Sequence, residues 1–599
     1  MDSRPQADIT PCDPKTSCTE MSQLGSGRNS FSNAALNRND SQKSSGLSDL
    51  TTLKSASTTP PEDFKPGWRF LAAFICLCIV NLICALDATS ISVALPLTSQ
   101  VMSDALHGTG IEAFWTGTSF LLTATVFQPS FASLSHVFGR KPLLLIALTF
   151  FTVGAIAGAV SNDFTALLTS RVIQGIGGGG IAALTGVIIT DMVPLKERGK
   201  WLGLVTMMWA IGSVIGPVIG GVLAEKVSWR WIFWINVPFC AIGYVMIPLF
   251  LKLQYKPGNF AQKLKQIDWI GSFLFVASTT STLIPITWGG VMYPWDHWRT
   301  LVPLLVGICG LFVFIVYSKY IPTEPILRGT LFKNVTALVC YLSIVIHGMM
   351  LWSALYYMPL YFQAAKSMSP TTSGIALFPW TFTTAPAAVV AGILIAKTGR
   401  YRWAMYFGWF TTTVGSGLLI LYKEHTPARE WIPLALISGM GLGFLYPAMS
   451  LCNQAAAVKG DVAAAAALNP FFRNFGQTLG VAVGGTVVQN QVKKKLLASA
   501  IPAVAAKAAE YSKDATTLVS VVKAMRGDPS MAAVRHDLID AYITALHVLW
   551  IVMCSLGALA GILTIIFVKA YSMDRELETD QGFVDTRRDE MREVDETSA

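Results

Sequence analysis

One carboxylate stands apart in this 599-residue sequence. Asp87 lies well inside a long apolar stretch, whereas Asp191, Glu225, Asp268 and Asp540 fall near the ends of such stretches. A charge inside a membrane-spanning segment is costly to hold and is a functional hypothesis by default. A desolvated carboxylate can bind and release a proton, which is the chemistry a proton-coupled carrier needs. Arg171 is the natural partner. If the first apolar segment runs outward and the fourth inward, both residues lie roughly 10–15 Å below the outer face at a rise of about 1.5 Å per residue. Arg171 then holds the carboxylate until substrate or a conformational change separates them. The alternative is one fixed structural ion pair.

A second polar constellation is the stripe Asn469, Arg473 and Gln477, spaced at i, i+4 and i+8. These residues share one helix face, with Arg473 expected near the membrane midplane, facing a substrate cavity and drawing anionic or carbonyl-rich molecules. Interhelical hydrogen bonding is the alternative. His347, Tyr356, Asn453 and Gln454 are further cavity candidates, and Met207, Met208, Met349, Met350, Trp352, Tyr357 and Phe362 would add a soft, aromatic lining. Lipid-facing packing explains many of these equally well. No phosphate-binding loop, metal cluster or nucleophilic triad is evident, so no ATP-driven step, cofactor, metal or enzymatic activity is expected.

The elements that must position these groups are membrane helices. The chain is 52% hydrophobic and only 14% charged, with mean hydropathy +0.50. Soluble domains carry roughly 25% charged residues, so this chain cannot cover a water-exposed surface of its own size. Its net charge of +9 is spread in short clusters between apolar runs, the membrane pattern rather than a nucleic-acid patch. A spanning helix needs about 20 mostly apolar residues. Fourteen candidates run over 70–97, 113–135, 142–160, 165–190, 201–223, 231–251, 269–288, 301–320, 335–362, 374–397, 403–422, 432–457, 463–488 and 543–569. With the amino terminus inside, the short inside loops hold sixteen Lys and Arg residues, among them Arg140, Lys141, Lys196, Arg198, Arg328 and Lys459. The short outside loops hold six: Lys226, Arg230, Arg299, Lys366, Lys423 and Arg429. Both termini are therefore expected in the cytoplasm, and the sequon at Asn334 falls inside and stays unglycosylated. Cysteines are scattered singly, which implies no disulfide framework.

Two patterns recur along the chain. GSVIGPVIGG at 212–221 returns as GQTLGVAVGG at 476–485, and LSHVFGR at 134–140 returns as LIAKTGR at 394–400. The two recurrences share nearly one offset. The chain therefore divides into a Ser- and Asn-rich tail (1–65), a six-helix half (66–251), two inserted helices with linkers (252–334), a second six-helix half (335–570) with a long outside loop (489–542), and a tail (571–599). The first tail reads as disordered, and both tails are placed in the cytoplasm. Parallel repeats of this kind place substrate near the midplane between the halves.

These residues resemble the major facilitator superfamily, and more narrowly the fungal fourteen-span drug:proton antiporters. LDATSISVALP (86–96) resembles the family's first-helix signature. LLTSRVIQGIGGGG (167–180) resembles the fourth-helix Arg-x-x-Gln-Gly motif, which brings Gln174 among the cavity candidates. GSVIGPVIGG resembles the fifth-helix antiporter motif. DMVPLKERGKW (191–201), WRWIFWINVP (229–238), TWGGVMYPW (287–295) and YYMPLYFQ (356–363) also match. Gly212, Gly216, Gly220 and Gly221 permit close helix approach, and Pro217 breaks a backbone bond, suiting a bend where the halves meet. The loop after the second helix departs from the family pattern. ASLSHVFGRK (132–141) keeps Gly139, Arg140 and Lys141 but carries Ala132 and His136 where the family has Gly and Asp. The usual acid helps lock the cytoplasmic side, so His136 must act differently or simply be solvated.

The resemblance implies an all-α integral membrane protein of the major facilitator fold, arranged as six, two and six helices. It implies proton-coupled efflux of small lipophilic molecules such as toxins, secondary metabolites or fungicides, by a monomer in the plasma membrane. The bilayer, protons and small-molecule substrates are its expected partners. One alternative is proton-linked movement of a defined solute, an iron chelate or a basic amino acid, at the vacuole. Another is a membrane sensor that transports nothing.

Overall fold

The computed structural model describes residues 66–92, 106, 110–254, 259–289, 292–322, 325–512, 515–526 and 528–574. The tail 1–65, nearly all of the tail 571–599, and residues 93–97 of the first expected span lie outside these. Among the described residues the chain is helical, with isolated bridges and no strand.

Fourteen long helices follow one another among these residues. The first six are α1 (Trp68–Ser92), α2 (Gly110–Val126, resuming at Gln128–Phe138), α3 (Arg140–Ala159), α4 (Phe164–Met192), α5 (Leu195–Lys226) and α6 (Trp231–Trp234, resuming at Asn236–Phe250). Next come α7 (Trp269–Trp288) and α8 (Trp298–Tyr320). The last six are α9 (Val335–Ala364), α10 (Pro370–Ala376, resuming at Phe378–Thr398), α11 (Arg402–Leu418), α12 (Ala428–Ala456), α13 (Val462–Leu497) and α14 (Ala532–Phe567). Among the described residues, twelve helices are long and apolar enough to cross a membrane. The two outside that number are α2, broken at Phe127 just before Pro129, and α13, which carries the polar stripe and an internal Pro470.

The expected loop 489–542 is shorter than the hydropathy implied. Helix α13 continues past its apolar stretch to Leu497, because Val492 and Leu496 stay buried on its inner face. Helix α14 begins at Ala532, and short helices at Pro502–Ala506, Ala508–Tyr511 and Ala515–Ala524 fill most of the interval.

The two sets α1–α6 and α9–α14 pack by one pattern. In the first set α1 lies on α5 and α6, α3 on α4 and α6, and α2 on α4. In the second, α9 lies on α13 and α14, α11 on α12 and α14, and α10 on α12. One apolar core gathers α1–α6 around Leu77, Leu144, Phe151 and Ile188. A second gathers α9–α14 around Ile344, Trp380, Trp409 and Leu549. The sets meet where α5 lies on α10 and where α13 lies on α2 and α4. Helices α7 and α8 pair with each other and reach α13 through Phe275, whose ring centroid stands 5.5 Å from that of Phe471. The turns also correspond. Gly139 and Gly399, the glycines of the recurring segments LSHVFGR and LIAKTGR, both take positive φ (94° and 63°), a conformation that L side chains rarely adopt.

Candidate functional site

Helix α4 is placed by its glycines. A Cβ on Gly178 or Gly180 would collide with Phe120 and Phe131 of α2 or with Ala147 of α3, all within 3.0 Å. Only hydrogen at these positions lets three helices meet this closely. Asp163 caps the start of α4 by accepting from the Ala166 backbone N–H at 2.7 Å. Two turns further on, Arg171 and Gln174 reach across to Asp87 of α1.

The result is a closed network. Arg171 Nη1 donates to Asp87 Oδ2 at 2.6 Å and to Gln174 Oε1 at 2.5 Å. Gln174 Nε2 and Asn236 Nδ2 each donate to Asp87 Oδ1 at 2.9 Å. Arg171 Nε donates to the Thr116 carbonyl at 3.0 Å, and its guanidinium lies over the Phe120 ring at 4.5 Å. None of Asp87, Arg171, Gln174 and Asn236 is more than 1% exposed. The carboxylate thus accepts three hydrogen bonds, two of them from neutral amides, which compensates the desolvation of its ionised form.

The structure puts Asp87 and Arg171, expected at one depth, in direct contact. It departs from the sequence reading at Gln174, which was placed in the substrate cavity. That side chain turns away from the cavity and onto Asp87, three positions along α4 from Arg171. The sequence reading also passed over Asn236. The signal was present, since Asn236 is a lone amide between apolar residues in the block WRWIFWINVP.

A separate cavity of about 130 Å³ lies between the two helix sets. Trp209, Trp352, Trp380, Leu351 and Leu355 supply apolar wall, and Asn81, Thr185, Asn469, Asn474 and Gln477 supply polar edge. Asn469, Arg473 and Gln477, the stripe of α13, border it together. Arg473 lies 3.4 Å from the Tyr446 ring centroid.

The other cavity candidates lie behind the wall. His347 is buried, with Nε2 3.1 Å from the Leu442 carbonyl. Tyr356 packs its ring on Tyr357 at 5.1 Å. Asn453 donates to Asn469 at 2.9 Å, Asn469 donates to Ser450 at 2.9 Å, and Gln454 donates to Ser450 at 3.1 Å. Gln454 also accepts from Arg198 Nη1 at 2.9 Å. Asn453 and Gln454 therefore join the cavity edge to the start of α5 instead of lining the cavity. Of the methionine and aromatic group expected as a soft lining, Trp352 borders the cavity and the others pack elsewhere.

The turn after α2 is held by Arg140. Its Nε contacts Asp191 Oδ2 at 2.9 Å, its Nη1 donates to Ser135 at 2.9 Å, and its Nη2 lies 3.1 Å from His136 Nδ1. Lys141 donates to the Pro248 carbonyl at 2.9 Å. His136 stands one residue past the expected span 113–135, in the last turn of α2. Burial, together with the Arg140 and Arg328 cations, pushes its pKa down to about 3. His136 is thus a neutral acceptor for Arg140, and Asp191 of α4 supplies the acid.

The glycine stripe of α5 faces α1, not the boundary between the sets. A Cβ on Gly212 would meet Ala85, one on Gly216 would meet Thr89, and one on Gly220 would meet Ser90. In the second set Gly476 and Gly480 meet Val345 and Met349 of α9. Val345 and Met349 thus hold the places in α9 that Ala85 and Thr89 hold in α1. By the same register His347 is the counterpart of Asp87. The stripe reads as within-set packing because α1 and α5 must touch over their whole crossing. Pro217 and Gly221 fall within α5, but their surroundings lie outside the described residues, and so does the expected bend. The close approach between sets is made by residues the sequence did not flag: Gly199 against Gly392, and Gly203 against Ala388 and Val389.

The family model described as Major Facilitator Superfamily matches residues 77–481. A relative from Phoma sp., called MFS transporter L2, is 54% identical over 536 residues, covering 89% of this chain and 88% of its own. Efflux pump FUS6 of Gibberella fujikuroi is 35% identical over 537 residues, covering 88% and 94%. The MFS-type efflux pump LUC4 of a Fusarium species is 34% identical over 541 residues, covering 89% and 93%.

Proposed function

Since this chain belongs to the major facilitator superfamily and is a multi-pass membrane transporter, we propose that it exports small lipophilic organic molecules in exchange for protons, by alternating access. The observation that carries this reading is the separation of two sites in one bundle. A fully buried Asp87–Arg171 ion pair lies apart from a mostly apolar cavity between the helix sets. Relatives called efflux pumps favour outward movement.

In the cycle we envisage, the deprotonated carboxylate keeps Arg171 and holds α1, α4 and α6 together. Protonation frees Arg171 and lets α1 shift along the glycine face of α5. Because α5 also lies on α10, the shift changes the fit between the sets. Arg198 and the Ser450–Asn469 hydrogen bonds tie that movement to the cavity edge. All fourteen helices span the membrane in this reading, with six in each half and α7 and α8 between. The end bearing Arg140 and Arg198 faces the cytoplasm, and the plasma membrane is the site of action. Among the described residues that line the cavity none is Asp or Glu, which disfavours the alternative cargo of a basic amino acid.

Deletion in the host tests the function directly. The deletion strain should accumulate radiolabelled toxins or fungicides to a higher level than its parent and grow less well on them. Unchanged accumulation and resistance across the panel would sink the export reading.

A further inference from the structure

We infer that the cavity takes its cargo as an organic anion, with a carboxylate or a comparably acidic group set against Arg473. This rests on the reading above that the cavity is the substrate site.

The argument starts from the four buried arginines among the described residues. Arg140 meets Asp191. Arg171 meets Asp87. Arg198 donates to the Val193 and Thr190 carbonyls and to Gln454. Arg473, 5% exposed, is the exception. Its Nε and Nη2 have no hydrogen-bond partner, where Arg171 lacks one at Nη2 alone, and its guanidinium lies against the Tyr446 ring and shares a side-chain hydrogen bond with Tyr446 in place of an acid. A ring face attracts a cation but accepts no directed pair of N–H bonds. An uncompensated charge buried between membrane helices is costly. Among the described residues that line the cavity Arg473 borders, none is Asp or Glu, so an anion from outside the chain would supply the compensation.

A guanidinium offers two parallel donors to a carboxylate, a geometry that ammonium lacks. Gln477, one turn along α13, and Asn474 beside it can accept or donate to neighbouring oxygens of the same ligand. Trp209, Trp352 and Trp380 would cover its apolar body. The complement of this surface is a hydrophobic acid: one anionic group, a few polar oxygens nearby, and an apolar remainder. Charge accounting then adds a consequence. One proton inward exchanged for one monoanion outward moves two charges per cycle, against one charge for a neutral cargo.

Equilibrium binding to the full-length protein in nanodiscs tests the inference without any transport. The probes are 1-pyrenebutyrate and its methyl ester, followed by energy transfer from tryptophan, with empty nanodiscs subtracted. Wild type should bind the acid about 10- to 100-fold more tightly than the ester, the worth of a hydrogen bond to a charged group. Arg473→Met should erase this preference while still binding the ester. In wild type alone the preference should vanish below the carboxyl pKa of the probe, about 4–5. Equal binding of acid and ester by wild type, a preference surviving in Arg473→Met, or one unaffected by pH would each overturn the inference. If acid and ester bind as expected but the deletion strain is unchanged, the export reading fails and the anion site stands.

Discussion

Asp87 and Arg171 are each other's compensation, and their variants should behave unequally. Arg171→Gln leaves a buried carboxylate without its cation, at a cost of roughly 3–5 kcal/mol, read as a lowered unfolding temperature of the detergent-solubilised protein. Asp87→Asn together with Arg171→Gln should recover part of that loss, because no lone charge remains. A double variant as unstable as the two single losses summed would contradict the pairing. His136 gives a second test at this scale. With its pKa pushed down to about 3, it stays neutral from pH 8 to pH 5. Its depressed value means that its contribution to stability is full above its unfolded pKa of about 6.5 and is lost as pH falls toward 3. His136→Gln should therefore leave the pH profile of transport between pH 5 and 8 unchanged, and a displaced profile would show that the histidine titrates in the cycle. The sequence made Asp87 legible because one acid in an apolar run has no cheap explanation. It could not place Gln174 or Asn236, because an amide in a helix gives no sign of which neighbour it faces.

Among the elements, α5 carries the most consequences. Its glycine stripe holds α1, while Gly199 and Gly203 near its start set the approach to α10. Gly392→Leu should prevent that approach, since even a Cβ there would stand 2.1 Å from the Gly199 carbonyl oxygen, and Gly199→Leu should strain it, since a Cβ there already stands 3.1 Å from the Gly392 carbonyl oxygen. Cysteines placed at Lys200 and Val389, beside the Gly199–Gly392 and Gly203–Val389 contacts, should then cross-link poorly. The same pair should cross-link readily in the otherwise unaltered protein, and equal yields would refute this role for the glycines. The glycine pattern was legible as a repeat, but its partner was not. A small-residue stripe says that a helix touches something closely, and only packing says what. The break in α2 at Phe127 and the extension of α13 to Leu497 escaped hydropathy for a related reason. Helices are ended by local backbone chemistry and tertiary burial, whereas a hydropathy window reads only where lipid would be tolerated.

In the whole molecule, the two helix sets share one packing pattern, visible in the sequence as two recurrences of nearly equal offset and in the structure as matching helix pairs and matching turns at Gly139 and Gly399. The two sites are unevenly shared. The proposed proton carrier, Asp87, sits in the first set, and its counterpart position in the second set is His347. The unpaired cation, Arg473, sits in the second. That division is what an exchanger needs if proton and cargo are to compete through the fit of the sets and not through one shared pocket. The most direct measurement reconstitutes wild type and Asp87→Asn into proteoliposomes and follows uptake of the compound that the deletion strain retains, with and without an imposed pH gradient. Wild type should be accelerated by the gradient about tenfold or more. Asp87→Asn should show only the gradient-independent rate, with the compound still bound. An Asp87→Asn protein that responds to the gradient as wild type does would contradict the assignment of Asp87 as the proton carrier.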